Sequence, residues 1–368
     1  MRNELQRIVL AGGGTGGHLY PALSLAGELR RRRPDAAIAF IGARGGLEER
    51  LVPGAGYPLR LLRLAGLKGA SVSGRLRAAA AAASAVGRCL FWMWREKPDL
   101  VVGVGGFASG PAVLAAWLLK VHTMVLEQNH FPGATNRWLG PRVDAVCLPS
   151  EEARPRIRGR HFVTGNPVRE EFFHIGEPPG GRALSLLVFG GSRGAHRINE
   201  AMVDALAGLA RIDPAPRIVH QTGPADETAV RAAYAAYPTG AYEVSAFLDD
   251  MPARLSAADL VLCRAGASTV AELCAAGRPA ILVPYPHAAD DHQRHNAESL
   301  VHAGAAEMVA DGHLDGKTLA EAITTLAIDS DRRRVMRLAA LRLARPRATA
   351  RIADIAERLM EGGLDETA

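Results

Sequence analysis

The chain has 368 residues, of which 48% are hydrophobic and only 5% aromatic, and 44 basic against 38 acidic side chains give it a net charge of +6. That length allows two cores of roughly 150–200 residues each, and an Ala- and Leu-rich composition with few aromatics favours helix-covered sheets over an aromatic-rich β-sandwich. The positive balance asks for an anionic partner without choosing among nucleotides, phospholipid head groups and nucleic acid, and Cys89, Cys147, Cys263 and Cys274 lack the paired spacing of a zinc or disulfide framework.

The first apolar run, near 7–11, is strand-length and too short for the core of a signal peptide. It runs directly into Gly12-Gly13-Gly14-Thr15-Gly16-Gly17-His18. Further strand-like runs near 37–41, 58–62, 99–103, 123–127 and 143–147 alternate with helical stretches, the rhythm of a doubly wound parallel sheet. A second glycine turn, Gly103-Val104-Gly105-Gly106-Phe107-Ala108-Ser109-Gly110-Pro111, follows the fourth run. Turn-forming residues at 165–167 and 176–181 suit a domain crossing. A second series opens at 184–189, enters Gly190-Gly191-Ser192-Arg193-Gly194-Ala195, and continues near 217–221, 241–244, 259–263 and 280–283. This predicts a second Rossmann-like domain. From 316 the chain reads as consecutive helices interrupted at Pro346. The longest apolar segments, 78–94 and 111–121, are broken by Arg88 or too short to span a bilayer.

Three glycine turns after strands point to phosphate handling, because glycine lets backbone N–H groups and a following helix N-terminus close on an anion. Gly12, Gly14 and Gly17 satisfy the dinucleotide-binding spacing, with Asp35 downstream, so a nicotinamide-dependent enzyme is one reading. Against it, the loop carries an extra Gly16 and ends in His18, and Asp35 precedes the second strand instead of ending it. In Arg264-Ala265-Gly266-Ala267-Ser268-Thr269-Val270-Ala271-Glu272, Gly266 permits close approach and Ser268 or Thr269 can cap a helix. The first-turn amides would face a diphosphate, with Glu272 one turn on to take a ribose diol; an ordinary capped helix is the alternative. Asp329-Ser330-Asp331 has a metal-site pattern in a helix-cap context, and the histidines between His287 and His295 sit in a loop before a helix. Between Arg75 and Lys97, Leu76, Ala80, Ala83, Val86, Leu90 and Trp94 share one predicted face, with Phe91, Trp92 and Trp117 nearby and Arg77, Arg88 and Arg95 flanking it. That face either docks on an anionic membrane or covers the sheet.

Taken together, Gly13 to His18 with Pro21, Gly105 to Pro111, Glu127-Gln128-Asn129, Gly165-Asn166-Pro167-Val168-Arg169, Gly190 to Ala195, His220-Gln221-Thr222-Gly223 and Arg264 to Glu272 occur in the order seen in the MurG family, and the chain resembles that family over almost its whole length. The resemblance implies a GT-B glycosyltransferase, two Rossmann-like domains with parallel sheets facing a central cleft. Its activity would be inverting transfer of N-acetylglucosamine from UDP-GlcNAc to the C4 hydroxyl of the undecaprenyl-pyrophosphoryl muramyl pentapeptide, lipid I, giving lipid II of peptidoglycan. It implies an acceptor and membrane-associating domain over 1–164, with a helix at 345–368 packing back on it, and a donor domain over 165–344. Donor contacts are expected from Thr15, Gly16, Gly17, Asn129, Arg169, Ser192, Leu248, Gly266, Ala267, Ser268, Thr269, Val270, Glu272 and Gln293. Gly14, Gly105, Gly106 and Ser109 belong to acceptor-side loops, His18 is the candidate base and Glu127 the second. No metal or other cofactor is expected. The partners implied are UDP-GlcNAc, lipid I, an anionic membrane surface and the cell-wall and division machinery, with no nucleic acid, at the cytoplasmic face of the bacterial inner membrane. The chain departs from the family at Phe107, where a tyrosine is common, and at Leu126, where a histidine is common. Another GT-B transferase with a different acceptor, an NAD-dependent enzyme and a non-catalytic sugar-nucleotide binder are the competing readings.

Overall fold

The structure, a computed structural model, describes residues 6–14, 16–64, 72–178, 183–191 and 194–362, with main chain alone at 72–76 and 78. The chain divides into two compact units: residues up to Val168 together with those from Arg347 onward, and Arg169–Pro346. The crossings thus fall at 168/169 and 346/347, a few residues beyond the expected 164/165 and 344/345. The reason is local. The N–H groups of Thr164 and Gly165 both donate to Leu148 O, and Asn166 Nδ2 donates to Gln128 O at 2.8 Å, which ties this segment to the first unit.

The first unit is a seven-stranded parallel sheet: β1 (Arg7–Ala11), β2 (Ala37–Ala43), β3 (Leu59–Leu62), β4 (Leu100–Gly103), β5 (His122–Leu126), β6 (Ala145–Leu148) and β7 (His161–Val163), in the order β3-β2-β1-β4-β5-β6-β7. Its helices are α1 (Gly16–Arg32), α2 (Glu48–Gly54), α3 (Val72–Glu96), α4 (Ser109–Leu118) and α5 (Ala134–Leu139). Helices cover both faces, so the central strands are buried on both sides and read as unbroken apolar runs. Alternation along β1 sends Ile8 and Leu10 into one core, with Leu19, Leu25 and Leu29 of α1, and Val9 and Ala11 into the other, with Ala112 and Val113 of α4. The C-terminal helix Ala348–Glu361 completes the first of these cores through Ile352, Ile355 and Leu359. Arg32 pairs with Asp354 and Glu357 at 2.6 and 2.9 Å, and Arg33 with Glu357 and Glu361, fastening that helix to α1.

The single apolar face expected along α3 splits in two. Ala85, Cys89 and Met93 form the buried row, with Val86, Leu90 and Trp92 packed partly against the same core. Ala80, Ala83 and Trp94 are exposed, and Phe91 joins them. Trp92 lies under the guanidinium groups of Arg60 and Arg88, 5.1 and 5.0 Å from its ring centre. The side chains of Leu76 on the expected face and of the flanking Arg75 lie outside the described residues.

The second unit holds six parallel strands: β8 (Ser185–Phe189), β9 (Arg217–Gln221), β10 (Tyr242–Ser245), β11 (Leu260–Cys263), β12 (Ala280–Leu282) and β13 (Ala306–Met308), in the order β10-β9-β8-β11-β12-β13. Helices α6 (His196–Leu209), α7 (Glu227–Tyr234), α8 (Met251–Ala257), α9 (Ala267–Ala276), α10 (His292–His302), α11 (Gly316–Ile328) and α12 (Ser330–Leu343) flank it. In both sheets the chain winds one way and then the other, and the reversal lies between β1 and β4 in the first and between β8 and β11 in the second. Ligands of such sheets bind beyond the carboxyl ends of the strands at that reversal. All three predicted glycine turns, and the Arg264–Gly266 turn, leave one of these four strands.

Candidate active site

In the first unit the turns after β1 and β4 are interlocked. Gly12, Gly13 and Gly14 have φ of 155, 135 and 88°, and Gly105 and Gly106 of 86 and 78°, conformations that side chains resist. The close approach also demands glycine: a Cβ on Gly12 would collide with Gly105 O, and one on Gly106 with Gly13 O. A Cβ on Gly105 would stand 2.5 Å from Cδ2 and 2.8 Å from Nε2 of His18. The His18 ring, in the first turn of α1, therefore rests directly on the Gly105 backbone. Gly16 and Gly17 begin that same helix, while Thr15 lies outside the described residues.

The turn after β5 closes the group. Gln128 donates from Nε2 to Val104 O at 3.1 Å. Glu127, 3% exposed, accepts from Asn129 N at 2.8 Å, Asn129 Nδ2 at 3.1 Å, Gly133 N at 3.0 Å and Asn136 Nδ2 at 2.9 Å. Its carboxyl is committed to holding the 127–136 loop, which presents Asn129, and taking a proton from substrate would mean giving up those bonds. Ser109 is fully buried, packed against β4 where a Cβ on Gly103 would lie 2.5 Å from its Oγ. Beneath the first turn, Glu48 at the start of α2 is wholly buried and accepts from Gly14 N at 2.8 Å and Ala43 N at 2.9 Å.

Asp35 is exposed and precedes β2, at the end of the sheet away from the glycine turns. Seven residues of extended chain, roughly 20 Å, separate the two ends of that strand. A ribose bound over Gly12–Gly14 would be out of its reach, which argues against the dinucleotide reading.

In the second unit the turns after β8, β9 and β10 are laced by Gln221, whose Nε2 donates to Gly191 O at 3.1 Å and Ala246 O at 3.0 Å. Gly194 N donates to Gly191 O at 2.8 Å, and a Cβ on Gly194 would run into Thr222 O. Ser192 lies outside the described residues. His220 serves the core: its ring nitrogens meet Tyr234 Oη and Asn199 Oδ1, each at 3.0 Å, and burial pushes it down to about 4, so it stays neutral. Leu248 is buried, whereas Phe247 beside it is exposed.

After β11, Arg264 Nη1 donates to Val283 O and Pro284 O, pairs with Asp311 at 2.5 Å, and its guanidinium lies over the Tyr285 ring. Asn296 of α10, fully buried, donates to Ala265 O at 3.1 Å. These two residues hold the turn from which α9 starts. Gly266, which has no side chain to cap with, is its N-cap, in place of the expected Ser268 or Thr269. Val270 N is spent on Gly266 O, at 2.9 Å, which removes it from the anion-facing amides and leaves those of Ala267, Ser268 and Thr269 beyond the helix ladder. Burial pushes the Glu272 carboxyl up to about 7, and the Arg169 guanidinium acts against that shift. Two residues 103 positions apart are thus electrostatic neighbours. Gln293 Oε1 accepts Tyr285 N at 2.9 Å, following two left-handed residues, Asp290 and Asp291.

The metal-like patterns resolve differently. Asp329 caps α12, accepting Arg332 N at 2.8 Å. His292 meets Ala289 O, His295 pairs with Glu298, and His287 sets its ring edge-on to Tyr285. Among the described residues no group of three His, Cys, Asp or Glu side chains is placed to hold an ion.

The two halves of this arrangement each match a known domain model: the glycosyltransferase family 28 N-terminal domain over residues 8–148, and the family 28 C-terminal domain over 185–359. The chain belongs to glycosyltransferase family 28. It is similar to a protein of Myxococcus xanthus named UDP-N-acetylglucosamine–N-acetylmuramyl-(pentapeptide) pyrophosphoryl-undecaprenol N-acetylglucosamine transferase, 43% identical over 97% of this chain and 94% of that one. The transferase of the same name from Syntrophotalea carbinolica is 46% identical over 87% of this chain and 89% of its own. Among solved structures, Acinetobacter baumannii MurG superposes with a TM-score of 0.80 at 30% identity, covering 96% of this chain and 99% of that chain.

Within this family 28 chain, sequence reasoning missed Glu48, Gln221 as a lace between turns, and Asn296 as the support of Ala265. Glu48 had a signal: Gly42, Gly45 and Gly46 make a fourth glycine-rich turn after a strand, directly ahead of it. Gln221 and Asn296 act through backbone carbonyls of loops remote in sequence, which no local pattern announces.

Proposed function

We propose that this chain is an inverting transferase that moves N-acetylglucosamine from UDP-GlcNAc to the C4 hydroxyl of lipid I, forming lipid II. The observation that carries the reading is the start of α9 at Gly266, directly after β11, with Glu272 one turn along the helix and the Arg169 guanidinium acting on that carboxyl. The printed names of relatives at 43–46% identity supply donor and acceptor. The amides of Ala267, Ser268 and Thr269, with Arg169, stabilise the charge that develops on the departing diphosphate, the role a metal plays elsewhere. Glu272 accepts hydrogen bonds from the ribose diol. Gln293, its carbonyl held by Tyr285, turns its amide N–H groups to the sugar. His18, set on Gly105, takes the C4 proton as the hydroxyl attacks the anomeric carbon; the bond to the diphosphate oxygen breaks on the opposite face.

A lipid-linked acceptor asks for a membrane surface, yet no described helix is long and apolar enough to cross one. Phe91 and Trp94 of α3 and Trp117 and Leu118 of α4 are exposed, and α3 packs against α4. Arg88, Arg95, Lys97 and Lys120 accompany them in sequence. We assign this aromatic and basic surface to peripheral docking on anionic lipid at the cytoplasmic face. Transfer of radiolabelled N-acetylglucosamine to a lipid I analogue in the presence of EDTA tests the reaction and its metal independence together. Release of UDP without labelled product, or activity with NAD-linked substrates instead, would remove the reading.

A further inference from the structure

We infer that Glu48 is a positioning residue of the acceptor half: from inside the protein its carboxyl fills the anion cradle of the glycine turn after β1, and so fixes the turn that carries His18. The inference rests on the proposed role of His18 in the transfer.

The geometry is specific. Oε2 accepts the N–H of Gly14 and Oε1 that of Ala43, so one side chain joins the carboxyl end of β1 to that of β2. Neither donor belongs to α2, the helix Glu48 begins, and the bonds are therefore not those of a helix cap. The chamber around the carboxyl is made of missing side chains: a Cβ on Gly13 would stand 2.5 Å from Oε1, one on Gly42 2.6 Å from Cγ, and one on Gly46 would run into the carboxyl. Burying a carboxyl is costly unless its oxygens are bonded, and three glycines in one small chamber loosen the unfolded chain as well. A surface turn needs neither. What the arrangement secures is the path of Gly12–Gly14, whose amide at Gly14 points inward to Glu48 while the other side of that residue is open. A bound phosphate cannot use that N–H. The turn is a ledge for His18, set against Gly105, and not an open phosphate cradle.

The test is a double-mutant cycle between Glu48→Gln and His18→Ala. Glutamine keeps the shape but turns one N–H donor against another, releasing one end of the strap. With the thermal shift produced by UDP-GlcNAc unchanged, Glu48→Gln should lower kcat by about 10- to 100-fold, the scale of a slightly misplaced reacting group. In the His18→Ala background the same change should cost less than about 3-fold, because its target is already gone. Full multiplication of the two losses, or a parental kcat in a folded Glu48→Gln protein, would overturn the assignment. If that variant does not fold, Gly46→Ala displaces the carboxyl while keeping it, and the same two outcomes decide. A parental kcat in His18→Ala alone would instead sink the base assignment. Glu48 would then stand or fall on the acceptor KM, which a loosened turn raises and a purely architectural role leaves alone.

Discussion

The two units carry the same device, glycine-rich turns at the reversal of a parallel sheet, and use it in opposite ways. In the first unit the Gly14 amide is occupied by an internal acid, Glu48, and the neighbouring turn serves to make room for a histidine ring. In the second, α9 begins at Gly266, a residue with no side chain to cap it, and Glu272, a turn along the same helix, is held toward neutrality by burial. A glycine turn after a strand thus predicts a place where backbone comes close to something. Whether that something is a phosphate or the protein's own side chain depends on where the nearest carboxyl sits.

The largest effect expected from this contrast is at His18. Replacement by Ala should lower kcat by about 100- to 10,000-fold, the usual contribution of a positioned base, while the Kd for UDP measured by calorimetry stays put. A near-parental kcat with a raised acceptor KM would make His18 a binding residue. Gly105→Ala should approach that loss, by about 100-fold, because its Cβ would displace the imidazole and its φ of 86° is unfavourable for alanine. Steady-state kinetics of the two variants should look alike; a mild Gly105→Ala phenotype would mean that the ring has another place to go.

On the donor side, Glu272→Ala should weaken UDP by roughly 1.5–3 kcal/mol, leaving two ribose hydroxyls without their acceptor. Unchanged calorimetric affinity would put Glu272 elsewhere. The same residue sets a pH dependence. Only the deprotonated carboxyl accepts both hydroxyls, and in the free protein it titrates at about 7. Affinity for UDP-GlcNAc should therefore be flat above that pH and fall as pH drops through it, by at most about tenfold per unit, with protons released on binding. For the free fold the sign is reversed: a carboxyl raised from 4.5 contributes stability fully present below its unfolded value and lost as pH rises through about 7. The pH profile should disappear in Glu272→Gln. The smallest effect belongs to the membrane surface, where Phe91→Ser and Trp94→Ser with Arg88→Gln and Arg95→Gln should reduce sedimentation with anionic liposomes and leave the UDP thermal shift intact. Trp92 is kept in this variant because it packs on the core beneath two arginines.

The sheets were largely legible because buried parallel strands leave unbroken apolar runs between glycines. β7 and β13 were not: each has three residues at a sheet edge, is only partly buried, and lacks such a run. On α3 the helical period was right but the expected face is divided, Val86 and Leu90 packing on the core while Ala80, Ala83 and Trp94 are exposed, because spacing alone does not say which apolar row faces the sheet. At the site, positions of glycines and of helix starts were readable from local chemistry. The commitments of Glu127, Ser109 and Glu48 were not: Glu127 is used up by the loop that follows it, Ser109 folds back on the strand that precedes it, and Glu48 reaches the turn after a different strand.

The fastening of Ala348–Glu361 to α1 bears on how the molecule comes into being. Ile352, Ile355 and Leu359 belong to the same core as Ile8 and Leu10, and the ion pairs of Arg32 and Arg33 span more than three hundred residues of sequence. A ribosome delivers the first unit's sheet early and this helix only after the entire second unit. Until then an apolar groove beside α1 stays open to solvent and to other nascent chains. The second unit, closed by its own helices, has no such wait.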